Sequence, residues 1–328
     1  MHPTRRTFVL SSLAGLTALS ATLAPQPASA GDWPARTVRV VVPVPPGGSL
    51  DTLARTVAKG LTDKLGQTVV VENLPGAGSN IAFSHVARAT PDGYTLLLGW
   101  DSLIINPSLY PSVPYTLGQF TPITLAITSP QVLLVGPKLP VKDLAGLLDA
   151  ARAAPGRITV ANAGNGSPGH LAGTLLETRA DVKFTHVPYK GGAPAVADLL
   201  AGHVDALFVT LPAALQHVKA GRLTALAVSS ARRSTGASQI ATVAEAGVAD
   251  YDLNSWQGFF APTGTPAEVV NKLSAAIVEV LRDPATQAQL VAQGFEIVGS
   301  TPEALARELD VLAPKWAQLV KNSGARIE

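Results

Sequence analysis

Short apolar runs and longer amphipathic stretches alternate along this 328-residue chain. The apolar runs, bounded by glycine, proline and polar residues, predict buried strands. They lie at 38–42, 69–71, 94–99, 132–135, 158–161, 184–187, 205–208, 224–228 and 256–261. Apolar residues that recur every three or four positions predict long helices at 50–65, 142–153, 193–201, 267–282 and 302–322. Because strands and helices alternate, the sequence predicts an α/β fold.

The last two predicted helices have a clear start signal. Thr265-Pro266 and Thr301-Pro302 each place a threonine at the expected N-cap and a proline at the first helical position. We expect these two helices to form a C-terminal brace.

The junction between the first strand and the first helix has the pattern of an anion site. Its residues are Pro45, Pro46, Gly47, Gly48 and Ser49. Glycine lets backbone N–H groups approach a ligand, and a helix start offers unpaired donors and a positive dipole end. The amides of Gly47, Gly48 and Ser49 are therefore predicted to bind the anion. The alternative is that proline and glycine only turn the chain and Ser49 caps the helix.

A second junction of the same kind follows a later strand. Its residues are Tyr189, Lys190, Gly191 and Gly192. One interpretation is that the two glycine loops face each other across a ligand cleft. The other is that both are ordinary strand-to-helix connectors.

The first 30 residues have the composition of a secretory signal peptide. Arg5-Arg6 precedes an apolar segment at 8–23, and Ala28-Ser29-Ala30 forms a small-residue cleavage site. We expect export to the periplasm after cleavage of this segment. The arginine pair fits both the twin-arginine and the Sec route.

Composition excludes several classes of protein. The predicted signal holds two of the 25 basic residues and none of the 23 acidic ones, so the remaining chain has no net charge. A nucleic-acid partner is not expected, because phosphate binding needs a basic face. The chain has no cysteine, which excludes disulfides and thiolate chemistry. The remaining 298 residues suffice for two domains.

A glycine-rich segment lies between a predicted strand and a helix predicted at 170–179. Its residues are Gly164, Asn165, Gly166, Ser167, Pro168 and Gly169. A dinucleotide site would need an acid at the end of the next strand, where the chain has His186 and Tyr189 instead. The favoured interpretation is that the loop amides and the Ser167 hydroxyl bind a smaller anion, without a cofactor.

The same segment nearly matches the nucleophile motif of hydrolases, with Ser167 as nucleophile. A base would have to come from the histidines His170, His186, His203 and His217. None of them has a distinguishing neighbour pattern. They also lack the spacing of paired zinc ligands, so no metal site is predicted.

Trp100, Asp101 and Ser102 follow the strand at 94–99, at the strand end where ligands gather in α/β proteins. Asp101 either faces the ligand or caps the next turn. Trp100 either borders the ligand or packs in the core.

Ordered segments along the chain match one family. They are Trp33-Pro34, 42–51, 69–78, 91–96, 106–110, 164–167, 186–191, 223–228 and 262–266. Together these segments resemble the solute receptors of tripartite tricarboxylate transporters, the periplasmic Bug family.

The resemblance implies a type II-like periplasmic binding protein without catalytic activity. Its ligand cleft would lie between two domains joined by crossing strands near 126–135 and 224–228. The first domain would comprise 31–125 and 229–328, and the second 126–228. The ligand would be a small carboxylate held by backbone amides, hydroxyls and water. The chain would be a monomer that delivers its ligand to integral-membrane transporter subunits, or alternatively signals to a membrane sensor.

The residues of this chain that match the family's ligand loops form the predicted site. They are Pro46, Gly47, Gly48, Ser49, Asp51, Trp100, Asp101, Ser102, Ala163, Gly164, Asn165, Gly166, Ser167, His170, Tyr189, Lys190, Gly191 and Thr210. Trp100 and Asp101 depart from the small residues usual in the family. Because a carboxylate repels a second ligand anion but can pair with an amine, we expect amino acids and monocarboxylates to bind better than dicarboxylates of similar size if Asp101 points into the cleft.

Overall fold

The computed structural model describes residues 33–327, and the predicted signal peptide lies outside this range. The strands are β1 (Val38–Val42), β2 (Val69–Asn73), β3 (Thr95–Trp100), β4 (Phe120–Val135), β5 (Thr159–Asn162), β6 (Thr185–Pro188), β7 (Ala206–Thr210), β8 (Thr224–Val228), β9 (Asn254–Pro262) and β10 (Glu296–Ile297). The helices are α1 (Ser49–Leu65), α2 (Asn80–Ala87), α3 (Ser102–Leu109), α4 (Leu144–Ala153), α5 (Pro168–Ala180), α6 (Gly192–Leu200), α7 (Leu211–Lys219), α8 (Ala267–Arg282), α9 (Pro284–Ala292) and α10 (Pro302–Ser323). None of the helices within 33–327 is long and apolar enough to cross a bilayer.

The strands form two sheets that share β4. The first sheet has the order β2-β1-β3-β9-β4, with β10 also paired to β4. The second has the order β4-β7-β5-β6, with β8 also paired to β4. β1 runs parallel to β2 and β3, and β5 runs parallel to β6 and β7. Each sheet therefore has a parallel part whose strands lead into helices at one edge.

β4 carries the chain from the first sheet to the second. Its residues 120–130 pair with β9, and residues 131–135 pair with β7. The chain crosses back near Ser229, whose N–H donates to the Gln131 carbonyl and whose carbonyl accepts from the Leu253 N–H. Two crossing segments thus lie side by side between the sheets.

The sequence predicted most strands and long helices to within two residues of their observed bounds. β4 is the main exception, because only 132–135 was predicted. Its first part contains prolines and hydroxyl residues that interrupt the apolar run, and its pairing with β9 shifts at two places. Helices α2, α3, α7 and α9 were also missed. α3 contains Pro107, which removes the helix signal.

The predicted cap of α10 is confirmed, whereas that of α8 is wrong. Thr301 Oγ1 accepts a hydrogen bond from the Ala304 N–H at 3.2 Å, with Pro302 at the first helical position. Thr265 Oγ1 instead donates to the Pro262 carbonyl at 2.8 Å. Pro266 has an extended ψ of 136° and occupies the N-cap position, so the first helical residue is Ala267 and not the proline that the cap pattern predicted.

Three buried clusters hold the molecule together. One lies between the first sheet and helices α1 and α8, and another between the second sheet and helices α6 and α7. The third follows the opposite faces of both sheets and includes Trp256 and Trp316. α10 packs on α3, β4 and α5, so it braces both sheets, whereas α8 packs on α1 and β4.

Candidate ligand-binding site

Five helices begin where five parallel strands end. α1 follows β1 and α3 follows β3 in the first sheet, whereas α5, α6 and α7 follow β5, β6 and β7 in the second. Helix starts present unpaired N–H groups and a positive dipole end, which favour a negatively charged ligand. Most of the predicted site residues lie on these five connections.

A direct contact joins the two groups of helix starts. Ser49 Oγ at the start of α1 lies 3.4 Å from Thr210 Oγ1, which precedes α7. Ser49 does not cap α1, because Gly48 occupies the N-cap position. The capping alternative for Ser49 is therefore wrong, and its hydroxyl reaches towards the second sheet.

Asp51 organises the first glycine loop. The Gly47 N–H donates to Asp51 Oδ2 at 3.0 Å, and the carboxylate also accepts from Arg55 and Asn73, each at 2.9 Å. Burial opposes ionisation, but the hydrogen bonds from Arg55, Gly47 and Asn73 outweigh it and hold the pKa of Asp51 below its usual value. The prediction that the Gly47 amide binds the anion is corrected, because Asp51 occupies this donor.

The backbone conformation requires glycine at position 47 but not at position 48. Gly47 has a φ of +92°, which only glycine adopts readily. Gly48 has a φ of −85°, and a Cβ added there would meet open space. Gly48 and Ser49 stand at the helix start, where N–H groups have no partner within the helix. They are the donors of this loop that remain for a ligand.

The glycine-rich loop 163–167 is held by its own hydrogen bonds. Ser167 Oγ caps α5 by accepting from the His170 N–H at 3.3 Å. The Gly166 N–H donates to His170 Nδ1 at 3.1 Å, and the Gly164 N–H donates to Asn162 Oδ1 at 3.0 Å. Because His170 Nδ1 accepts from Gly166, this arrangement does not activate the Ser167 hydroxyl.

The electrostatics of His170 agree with its role as an acceptor. Burial, and secondly the neighbouring His186 ring, lower the pKa of His170 to about 4. The two ring centroids lie 4.8 Å apart. The imidazole is therefore neutral at neutral pH, and Nδ1 has a free electron pair for the Gly166 N–H.

The 163–167 loop also touches the first sheet's helices. Gly166 has a φ of +71°, and a Cβ there would lie 2.2 Å from Leu109 Cδ2 of α3. A Cβ on Gly164 would lie 3.4 Å from the Tyr189 carbonyl. The loop is thus wedged between α3 and the β6–α6 connection. Its Ala163 is half-buried and its Asn165 is exposed.

The β6–α6 connection lies at the outer side of this arrangement. The Tyr189 hydroxyl donates to Asp198 Oδ2 at 2.7 Å, and burial together with Asp198 raises the pKa of Tyr189 to about 12. Gly191 precedes α6 with a φ of +115°. Lys190 is exposed, as is Pro46 in the first loop.

Trp100, the last residue of β3, and Ser102, the first residue of α3, contact the protein core. Trp100 packs against two hydrophobic clusters and its Nε1–H donates to Ser79 Oγ at 3.1 Å. Ser102 is buried, and its carbonyl accepts from the Tyr115 hydroxyl at 3.4 Å.

Asp101 is fully buried against β9. Its carboxyl group lies beside the Ser255 side chain and the Trp256 N–H. Burial raises the pKa of Asp101 to about 8, although these two groups lower it in part. The side chain does not cap α3, so the capping alternative is wrong. At neutral pH this group is mainly protonated, and in that form it carries no charge that would repel a second ligand carboxylate.

A buried polar layer lies where β4 and β9 meet, and sequence reasoning missed it. We call this layer the polar floor. It comprises Asp101, Ser129, Gln131, Ser255 and Gln257, each at most 3% exposed. Gln131 Nε2 donates to Ser255 Oγ at 2.7 Å, and Ser129 pairs with Ser255 in the β4–β9 register.

The polar floor lies next to the contact between the helix starts. Gln131 is directly opposite Thr210 in the β4–β7 register, so their side chains share one face of the sheet. Thr210 in turn touches Ser49. Several floor atoms have no hydrogen-bond partner within 33–327, namely both Asp101 carboxyl oxygens, Ser129 Oγ and Gln257 Oε1. The buried Asn162 Nδ2, at the end of β5, also has none in that range.

Comparisons with known proteins find similarity along nearly the whole chain. A family model described as the tripartite tricarboxylate transporter family receptor matches residues 53–325. The chain is 38% identical to protein BugT of Bordetella pertussis over 305 residues, which are 92% of this chain and 94% of that protein.

Solved structures give the same result. The structure of R. palustris Rpa4515 with adipate matches with a TM-score of 0.87 and 36% identity, covering 90% of this chain and all of that one. MatC from Rhodopseudomonas palustris with bound malate matches with a TM-score of 0.80 and 31% identity, covering 88% of this chain and all of that one. These matches confirm the predicted α/β binding-protein fold.

Proposed function

Since the chain belongs to the tripartite tricarboxylate transporter receptor family, whose members are periplasmic solute-binding receptors, we propose that it captures a small carboxylate between two closing domains. The observation that carries this proposal is the convergence of helix starts from both sheets at the Ser49–Thr210 contact. The dicarboxylates held by Rpa4515 and MatC support it.

The carboxylate is bound without an opposite charge from an arginine. Its oxygens accept from the N–H groups of Gly48 and Ser49 on one side. On the other side they accept from the Asn165 N–H and from the hydroxyl groups of Ser167 and Thr210, because the N–H groups of Gly164 and Gly166 are used within their own loop. The positive ends of the helix dipoles supply the favourable potential. Ordered water molecules bridge the remaining distance between the ligand and the polar floor.

The two moving domains comprise 31–125 with 229–328, and 126–228. The support for this division is that β4 changes its partner from β9 to β7 between Pro130 and Gln131. Closure brings Ser49 to Thr210 and Gly166 to Leu109. Opening separates both pairs, so small-angle scattering with saturating ligand should show a smaller radius of gyration than without it.

The chain delivers the carboxylate to integral-membrane transporter subunits and has no catalytic activity. The hydrogen bonds of Ser167 and His170 support the second point, because His170 Nδ1 accepts from the Gly166 N–H rather than from the Ser167 hydroxyl. Residues 1–30 direct export to the periplasm and are then removed. The protein acts as a monomer.

A binding experiment tests the proposal with Gly48→Val. Adipate and malate should raise the thermal midpoint, since about 100 times Kd of ligand stabilises by about 2.7 kcal/mol. Gly48→Val should fold, because φ is −85° and a Cβ meets open space, yet weaken binding at least tenfold. Gly118→Val is the matched control, because Gly118 also has open space around it but lies outside the site.

Adipamide, the uncharged analogue of adipate, should not bind. If neither dicarboxylate binds by calorimetry, or if Gly48→Val binds as wild type does, the proposed site is refuted.

A further inference from the structure

We propose, on the basis of the carboxylate function above, that Asp101 sets a proton requirement for ligand capture: the cleft accepts an anionic ligand only while Asp101 is protonated. Asp101 is then a specificity-determining residue beneath the ligand, rather than the charged selector that its sequence position indicates.

The first step is the position of Asp101. Its carboxyl group lies beside Ser255, which accepts from Gln131 Nε2 at 2.7 Å. Gln131 is opposite Thr210, and Thr210 Oγ1 lies 3.4 Å from Ser49 Oγ at the proposed ligand donors. Neighbouring polar side chains thus connect Asp101 to the proposed ligand donors.

The second step is the absence of a compensating charge. Asp101 connects β3 to α3, and its carboxyl group lies beside Ser255 and Trp256 of β9. These three elements contain no ionisable side chain, and no charged group contributes to the raised pKa of Asp101. The nearest acid of the first glycine loop, Asp51, is held by Arg55 and Asn73 instead. Within 33–327, neither carboxyl oxygen of Asp101 has a hydrogen-bond partner of good geometry.

The third step concerns the two protonation states. Burial raises the pKa of Asp101 to about 8, so the carboxyl group is mainly neutral at pH 7. An ionised Asp101 would place a second negative charge in a buried layer without counter-ions, where like charges repel strongly. Because the neutral acid imposes no such repulsion, dicarboxylates bind at neutral pH.

The pH dependence follows from linkage. Below pH 8 the protonated form dominates and affinity is constant. Above pH 8 affinity falls towards tenfold per pH unit, and each binding event takes up one proton. Adipate and malate are fully ionised throughout this range. Near the ligand, the pKa of His170 is about 4 and that of Tyr189 about 12, so neither titrates between pH 7 and 9.5.

Calorimetric titration with malate from pH 7 to 9.5 tests the inference, with buffers of two ionisation enthalpies at pH 9. Wild type should lose about 16-fold in affinity between pH 8 and 9.5 and take up about 0.9 proton at pH 9. Asp101→Asn should keep constant affinity and take up none. Asp205→Asn is the matched control, because Asp205 accepts from Thr159 at the opposite edge of the second sheet and should behave as wild type.

Constant wild-type affinity up to pH 9.5, or the same loss in Asp101→Asn, would overturn the inference while leaving the carboxylate function intact. Absence of malate and adipate binding at every pH would overturn both. The proton uptake of wild type decides the question alone if Asp101→Asn does not fold.

Discussion

Replacement of Asp101 by asparagine should stabilise the folded protein at neutral and alkaline pH. The folded pKa of about 8 lies far above the value of about 3.9 expected in the unfolded chain. Between these values the folded state binds more protons than the unfolded state. Stability contributed by this group is therefore fully present below pH 4 and is lost as pH rises towards 8.

The size of the effect follows from the separation of the two pKa values. Each pKa unit corresponds to about 1.4 kcal/mol, so ionisation of the unfolded chain costs the wild type about 4 kcal/mol of folding free energy at pH 7. Asparagine has nearly the same shape and cannot ionise. Asp101→Asn should consequently exceed wild type by up to about 4 kcal/mol at pH 7 and by almost nothing at pH 4.

Urea unfolding followed by circular dichroism, at pH 4.5, 6, 7.5 and 9, measures this difference. Asp205→Asn is the control, for which we expect the opposite change in stability. Burial opposes ionisation of Asp205, but hydrogen bonds from Thr159 and Lys138 outweigh it and lower its pKa. That variant should lose stability at neutral pH. If the difference in unfolding free energy between Asp101→Asn and wild type does not grow with pH, the conclusion that Asp101 is protonated in the folded state is refuted.

Two further variants test the glycine-rich loop 163–167. Ser167→Ala should cost about 1 kcal/mol of unfolding free energy through the lost cap of α5 and weaken malate binding, whereas Thr301→Ala, which removes the cap of α10, should cost the same and leave binding unchanged. Gly166→Ala should cost about 1–2 kcal/mol through its positive φ and also weaken binding, because its Cβ meets Leu109. Gly156→Ala has a similar φ of +73° but open space, so it should lose only stability; equal malate affinity of the two alanine variants would contradict a closed contact at Gly166.

The sequence predicted the parts of the fold that depend on local pattern. The hydrophobic pattern is uninterrupted in strands such as β1 and helices such as α1, and their predicted bounds agree with the observed ones. β4 could not be predicted as one strand, because its pairing shifts near Pro122 and Leu125 and its polar residues face a partner that no local pattern reveals. Thr265 shows the same limit, since its hydroxyl finds a carbonyl in the preceding turn rather than a helix start.

The site divides in the same way. The glycine loops could be predicted because glycine and proline stand directly before a helical pattern in the sequence. The polar floor was not, because Gln131 and Ser255 are 124 residues apart and meet only through the antiparallel pairing of β4 and β9. One signal was available: a serine and a glutamine flank Pro130 inside an otherwise apolar stretch. Asn162 was missed because its partner, the Gly164 N–H, depends on the loop geometry.

The helix starts that give the proposed site its positive potential explain why ligand binding and domain closure would be coupled. The partial charges come from helix starts on both sheets, α1 on one side and α5 and α7 on the other. Each set alone offers a weak anion site, since a helix terminus contributes only about 0.3–1 kcal/mol when exposed to solvent. In the proposed closed form, Ser49 contacts Thr210, both sets act on the same ligand and water is excluded, which strengthens each of them. In the proposed mechanism an anion therefore binds the closed form better than the open form, and that difference in affinity shifts the equilibrium towards closure.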